Sequence, residues 1–193
     1  MKKIGLLGGS FDPPHKGHLY ISVEAKKLLK LDEIWWLVTP QNPHKIFKPA
    51  TYDERIKNCK SLTKAFPIKI KEIEKKINSK YSFQTIKYLN TYYKNLNFFW
   101  LMGADNLINF HKWEKWREIF KHIPIVVFKR HGYNTKALKS IAVKKFINFN
   151  ISNKYLYNNN FNNLPAWVWI HNKEINISST EIRKQRNKWR NKY

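Results

Sequence analysis

Gly8-Gly9-Ser10-Phe11-Asp12-Pro13-Pro14-His15-Lys16-Gly17-His18 decides how the rest of the chain is read. It follows an apolar run, Lys2 to Gly8, that reads as a buried first strand. It leads into a segment from about Gly17 to Lys30 in which Ile21, Ala25 and Leu28 share one helical face. Gly8 and Gly9 let the backbone approach a ligand with no side chain in the way, and Pro13 and Pro14 stiffen the turn. The segment lacks the G-x-G-x-x-G of a dinucleotide site and the Gly-Lys-Ser/Thr of a Walker loop. Instead it sets His15 and His18 one turn apart where a helix leaves its first N–H groups unpaired. Two imidazoles, a lysine and a helix N-terminus together suit phosphate oxygens. A metal-binding pair and a purely structural pair are the alternatives, although no third ligand of matching spacing lies nearby.

Outward from this turn, strands and helices alternate. Ile34 to Val38 is a second apolar strand, followed by a proline-punctuated loop from Thr39 to Ala50. Thr51-Tyr52-Asp53-Glu54 is a capping box, and Ile56, Cys59 and Leu62 face one way behind it. Ile68, Ile70 and Ile73 suggest a short third strand. Ser82 is placed to cap a helix with Ile86 and Leu89 inward. Asn97 to Met102 is a strand ending at Gly103-Ala104-Asp105, short helical turns run through Leu107 to Phe120, and Ile123 to Phe128 is the next strand. The Asn-rich stretch 136–163 reads as a helix and then a surface excursion. Trp167 to Ile170 is a last strand, and Ser178-Ser179-Thr180-Glu181 is a second capping box opening a basic terminal helix. The alternation implies an α/β class, a Rossmann-like doubly wound parallel sheet with helices on both faces. It is expected as one domain over 1–193, with the basic helix from about 178, and ligands are expected beyond the carboxyl ends of the strands.

Composition narrows the partners. The 193 residues hold 37 Lys+Arg against 13 Asp+Glu, a formal charge of +24, which on its face suggests nucleic acid. Yet the excess is 31 Lys with only 6 Arg, beside 21 Asn and 21 Ile, residues that share A/T-rich codons. Arg makes the bidentate contacts to phosphates and base edges, so a nucleic-acid reader is disfavoured. A single cysteine, Cys59, excludes an internal disulfide and a cysteine-based zinc site, and fits a reducing, cytoplasmic setting. Ile4 to Leu7 is too short for a signal-peptide core, and no stretch approaches the roughly 18 apolar residues of a membrane span. A homo-oligomer is left open.

The first segment resembles the H-x-G-H signature of the nucleotidylyltransferase superfamily, and Ile177-Ser178-Ser179-Thr180-Glu181-Ile182-Arg183 resembles its second, I-S-S/T-T-x-x-R. Within that superfamily the chain is most similar to the nicotinate-nucleotide adenylyltransferases. Asn42-Pro43-His44-Lys45 after the second strand, Tyr81-Ser82-Phe83-Gln84-Thr85, and Gly103-Ala104-Asp105-Asn106-Leu107 followed by Phe110-His111-Lys112-Trp113 extend the likeness from residue 4 to about 186. Phosphopantetheine adenylyltransferases share the outer signatures but lack the Trp block.

The resemblance implies adenylyl transfer from ATP to nicotinate mononucleotide, giving nicotinate adenine dinucleotide and pyrophosphate, in NAD biosynthesis. It implies Mg²⁺ carried by the phosphates, with no metal ligand from the protein. The same chemistry on nicotinamide mononucleotide or phosphopantetheine is the alternative. It places ATP against Gly8, Gly9, Ser10 and Phe11, with His18 on the transferring α-phosphate. Ile177, Ser178, Ser179 and Thr180 offer N–H groups and hydroxyls, and Arg183 the β- and γ-phosphates. Gly103 gives close approach and Asp105 accepts from the ribose. His15, His18 and Arg183 are the catalytic set. On the acceptor side it implies Ser10 and His15, Lys45 and Arg130 as anion partners, Ser82 and Thr85 at the nicotinate carboxylate, and Trp113 stacked on the ring. Glu114 stands where many members carry Tyr, so it is expected to point away, with Trp116 as a substitute ring.

Overall fold

The structure is a computed structural model and describes residues 1–40, 50–152, 161 and 163–190. Its elements in chain order are β1 (Lys2–Gly9), α1 (Lys16–Leu28), β2 (Glu33–Val38), α2 (Tyr52–Thr63), β3 (Ile68–Lys71) and α3 (Ile73–Lys76). These are followed by α4 (Ser82–Tyr92), β4 (Leu96–Gly103), α5 (Ala104–Ile108) and α6 (Trp116–His122). Then come β5 (Ile125–Phe128), α7 (Asn134–Leu138), α8 (Ile141–Lys145), β6 (Asn150–Ile151), β7 (Trp167–Ile170) and α9 (Ser179–Arg190). The seven strands form one sheet in the order β3-β2-β1-β4-β5-β7-β6, and all six pairings are parallel.

Both faces of the sheet are buried, which is why its strands read as continuous apolar runs. The pleat divides each strand between two cores. Leu6, Trp35, Trp100, Val127 and Trp169 point to one face, where residues of α4 to α8 cover them. Leu7, Trp36, Leu101, Val126 and Val168 point to the other, under Leu19 and Ala25 of α1 and Ile56 and Cys59 of α2. Each fully buried large side chain contributes roughly 1.5–3 kcal/mol. The buried indoles are satisfied, Trp36 Nε1 donating to Ser22 Oγ at 2.8 Å and Trp167 Nε1 to the Phe146 carbonyl at 2.8 Å.

Strand order reverses between β1 and β4, so the crevice of this sheet opens above Gly8-Gly9 and Gly103. The first capping box forms in full, and the second shows its N-cap half. Thr51 and Glu54 exchange bonds of 3.0 and 3.3 Å at the start of α2. Ser178 Oγ accepts from the Glu181 N–H at 3.2 Å before α9.

Four local expectations are corrected. Ile73 is not in the third strand; it is buried at the start of α3, because β3 ends once its pairing with β2 runs out at Lys71. Ser82 is the first helical residue of α4 and makes no capping bond; Tyr81 holds the N-cap position. The strand expected from Ile123 begins at Ile125. Among the described residues of 136–163 are the end of α7, the whole of α8 and a two-residue edge strand, β6, too short to carry a period in sequence.

Candidate functional site

The site begins with how α1 starts. His15 is its N-cap, in extended backbone, and its Nδ1 accepts the Gly17 N–H at 3.1 Å. His18 answers from the third helical position, its Nδ1 accepting the His15 N–H at 3.1 Å. The two histidines therefore form a reciprocal capping box of the kind usually built by Ser/Thr and Glu/Gln. Each Nδ1 lone pair is committed to a backbone donor, so each neutral ring carries its proton on Nε2 and works as a donor from that atom. The rings lie 3.8 Å apart between centroids, with His18 also 4.9 Å from Phe11, which stacks on Trp36 at 4.6 Å.

Burial, and then the nearby Arg130 charge, push His15 down to about 4, while Asp105 and Glu181 pull only partly the other way. His15 is thus a neutral donor at pH 7. The folded chain keeps it unprotonated where the unfolded chain, with an ordinary value of 6.5, takes up a proton. Its share of stability is complete above 6.5 and is lost as pH falls toward 4. The His15 ring resonances should titrate near 4 in an NMR pH series, and a midpoint at the ordinary value would refute the buried, neutral assignment.

The second signature closes on the first. Ser179 Oγ donates to the Pro13 carbonyl at 2.9 Å, and Arg183 Nη1 donates to the Asp12 carbonyl. Arg183 Nη2 also reaches Thr180 Oγ1 at 3.1 Å, and Asp12 Oδ2 stands 3.9 Å from Nη1. The N-termini of α1 and α9, helices of 13 and 12 residues, consequently border one cavity of ≈ 460 Å³. Gly8, Gly9, Ser10, Phe11, His15, His18, Gly103, Asp105, Arg130 and Ile177 to Thr180 line it, with Lys129 and Lys184 at its edge. Positive helix ends, neutral N–H donors and these cations make it a receptacle for a polyanion.

A second cavity of ≈ 500 Å³ adjoins it, sharing Gly8, Gly9, Asp105 and Asn106. Its wall holds Thr39, Glu74, Lys80, Tyr81, Ser82, Trp100, Asn109, Lys112, Trp113 and Glu114. A Cβ on Gly8 would lie 2.9 Å from the Trp100 ring, so only glycine lets β1 end against that indole.

Several expected residues stand elsewhere than the sequence suggests. Arg130 lines the helix-ended cavity and not the Trp113 one; its Nη1 pairs with Asp105 Oδ2 at 2.7 Å and its Nη2 donates to the Ile177 carbonyl at 3.0 Å. Arg183 is not among the residues lining either cavity, because its guanidinium is engaged by the Asp12 turn. Thr85 is fully buried beneath the second cavity and does not line it. Glu114 does line it, contrary to expectation, and Trp116 is a core residue edge-on to Phe146 at 5.9 Å, so it does not substitute for a ring in the pocket. Lys45 and the Asn42-Pro43-His44-Lys45 segment lie outside the described residues.

Two residues of the site carried no sequence signal. Glu74 looks like part of a solvated charged run, Glu72-Ile73-Glu74-Lys75, yet it is 3% exposed, and neither its Oε2 nor the Thr85 Oγ1 has a well-formed hydrogen bond among the described residues. Desolvation pushes Glu74 up to about 7, and the Thr39 and Thr85 hydroxyls facing it offset this only partly. The folded chain therefore holds a proton that the unfolded chain releases above 4.5, and stability falls as pH rises from 4.5 to 7. Glu74→Gln abolishes that loss. Its stability relative to wild type should improve by at most about 2–3 kcal/mol between pH 4.5 and pH 8, read from denaturant midpoints. A constant difference would mean that Glu74 ionises as an ordinary carboxyl. The other is Arg55, a fully buried cation.

The sequence model of a family described as cytidylyltransferase-like matches residues 6–185. A protein of Ruegeria sp. (strain TM1040), named "Probable nicotinate-nucleotide adenylyltransferase", is 41% identical over 182 residues, 94% of this chain and 96% of the relative. One of the same name from Pelagibacter ubique (strain HTCC1062) is 45% identical over 183 residues, covering 94% of this chain and 92% of its own. Among solved structures, Plasmodium falciparum nicotinic acid mononucleotide adenylyltransferase complexed with NaAD matches with a TM-score of 0.70 over 95% of this chain and 83% of that one. At 18% identity, that likeness is one of fold. No helix among the described residues is long and apolar enough to cross a membrane.

Proposed function

The chain belongs to the cytidylyltransferase-like family, with the nicotinate-nucleotide adenylyltransferases, and from that membership we infer that it transfers the adenylyl group of MgATP to nicotinate mononucleotide. The products are nicotinate adenine dinucleotide and pyrophosphate, and the reaction belongs to NAD biosynthesis. One observation carries the reading. Two cavities, one bordered by two helix N-termini and one walled by Trp113, Tyr81 and Ser82, meet above Gly8-Gly9 and Asp105 at the strand-order reversal.

In this reading the triphosphate occupies the first cavity and the pyridine mononucleotide the second, with the α-phosphorus between them. A phosphate oxygen of the acceptor attacks that phosphorus, the bond to the bridging β-oxygen breaks, and pyrophosphate leaves with the electron pair. The work left to the protein is alignment and stabilisation of charge on the phosphoryl oxygens. The Nε2–H groups of His15 and His18 are directional donors, since each Nδ1 accepts from the backbone, and His15 stays neutral near pH 7. The N–H groups at the starts of α1 and α9 add fixed positive potential. No side chain acts as a nucleophile, and Cys59, buried in the core, is pushed up to about 12.

On the acceptor side Trp113 offers an indole face to the flat pyridine ring. Ser82, Tyr81 and Lys80 at the start of α4 supply polar contacts for its carboxylate. Asp105 pairs with Arg130 through Oδ2 and accepts from the ATP ribose through Oδ1, which has no partner among the described residues. The test is pyrophosphate release with MgATP and a panel of nicotinate mononucleotide, nicotinamide mononucleotide and phosphopantetheine. The first is expected to be preferred. No release with either pyridine mononucleotide overturns the reading.

A further inference from the structure

Arg55, on the first turn of α2, is 1% exposed, and no ion pair joins it to a carboxylate among the described residues. Its guanidinium is spent on main-chain carbonyls. Nη1 donates to Ser10 at 2.7 Å and to Thr39 at 2.8 Å, Nη2 to Pro40 at 2.7 Å, and Nε to Ala50 at 3.1 Å. The Tyr52 ring covers it, with 5.4 Å from the guanidinium carbon to the ring centroid. Removing a cation from water costs several kcal/mol, which here the four carbonyl hydrogen bonds must offset without a paired carboxylate.

Its four partners lie at three chain ends: the turn after β1, the exit of β2 and the entrance to α2. Ser10 lines the helix-ended cavity and Thr39 the Trp113 cavity. One planar group therefore ties a wall of each. Because the peptide unit is planar and trans, turning the Ser10 carbonyl toward Arg55 directs the Phe11 N–H the opposite way. Phe11 itself has φ 47°, a left-handed backbone that a bulky residue keeps only when its surroundings impose it.

We propose that Arg55 is a positioning residue for adenylyl transfer: it fixes the relative placement of the ATP-side turn at Ser10-Phe11 and the acceptor-side wall at Thr39-Pro40. This rests on the function inferred above. The geometry demands a fork, since no single-point donor spans Ser10, Thr39, Pro40 and Ala50 together. Lysine keeps the charge and loses the span.

The test is steady-state kinetics of Arg55→Lys and Arg55→Gln at a temperature well below each variant's unfolding midpoint. Roughly 10–100-fold lower kcat is expected in both, with KM raised for ATP and for nicotinate mononucleotide together. A folding staple alone would lower the midpoint and leave kcat and both KM values at wild-type levels, which would overturn the proposal. Should neither variant fold, the wild-type enzyme still decides. The Arg55 Nε–H resonance should shift when ATP or nicotinate mononucleotide saturates the protein, and an unmoved resonance overturns the role. Absence of wild-type turnover with either pyridine mononucleotide refutes the assigned reaction. Wild-type turnover matched by the folded variants refutes only the role of Arg55.

Discussion

His18→Ala is expected to leave a folded protein whose kcat is roughly 10²–10³-fold lower, the usual cost of deleting one preorganised donor from a charge-stabilising site. Three things are lost together: the Nε2–H aimed from the start of α1, the acceptor for the His15 N–H, and the ring packed 3.8 Å from His15. The second of these is a cap, so about 1 kcal/mol of stability should go with it. The two losses can be separated. His18→Gln places an amide at the third helical position, where a capping-box partner is at home, and should recover the cap while turnover stays low. Circular dichroism and denaturant midpoints check folding, and pyrophosphate release checks turnover. A His18→Ala protein with near wild-type kcat would remove His18 from the reaction.

Gly17→Val should cost about 10²-fold in kcat/KM and roughly 1–3 kcal/mol in stability. Helix propensity alone argues for the opposite sign, since replacing a helical glycine by alanine typically stabilises by up to about 1 kcal/mol. Packing decides the matter. A Cβ at Gly17 would sit 3.0 Å from Cε1 and Nδ1 of the His15 ring and 3.0 Å from Ile177 Cγ2. The first turn of α1 is wedged between the cap it supports and the segment entering α9 that carries the second signature. Alanine would need each neighbour to yield by a few tenths of an ångström, and the methyls of valine would drive His15 off the Gly17 N–H. Gly17→Ala should therefore fall between wild type and Gly17→Val in both activity and stability. A Gly17→Ala protein more stable than wild type and fully active would show that the contact is slack.

Most of the sheet was legible because burial on two faces writes itself as apolar runs. Trp167 to Ile170 and Ile34 to Val38 needed no partner to be recognised, and Thr51-Glu54 and Ser178-Glu181 announce helix starts within four residues. The misreadings share a cause. Ile73 continues an alternation that the neighbouring strand does not extend to meet. β6 exists only because β7 offers it an edge for two residues. Glu74, Arg55 and Thr85 have the sequence surroundings of solvated helix residues, and only the packing of distant segments makes them buried.

Sequence by itself determined the α/β alternation, the turn at Gly8 to His18, the paired signatures and the family they resemble, because each is encoded over a few neighbouring residues. Tertiary structure decided which groups those residues meet. It spends Arg183 on the Asp12 turn 171 residues away, pairs Arg130 with Asp105 and commits Arg55 to four carbonyls. It also commits the Nδ1 of both histidines to backbone N–H groups, leaving Nε2 as the donor, and keeps His15 neutral by burial. The physical reason is that hydrogen-bond partners and desolvation are set by atoms close in space, whereas periodicity along a chain reports only which side of an element faces inward.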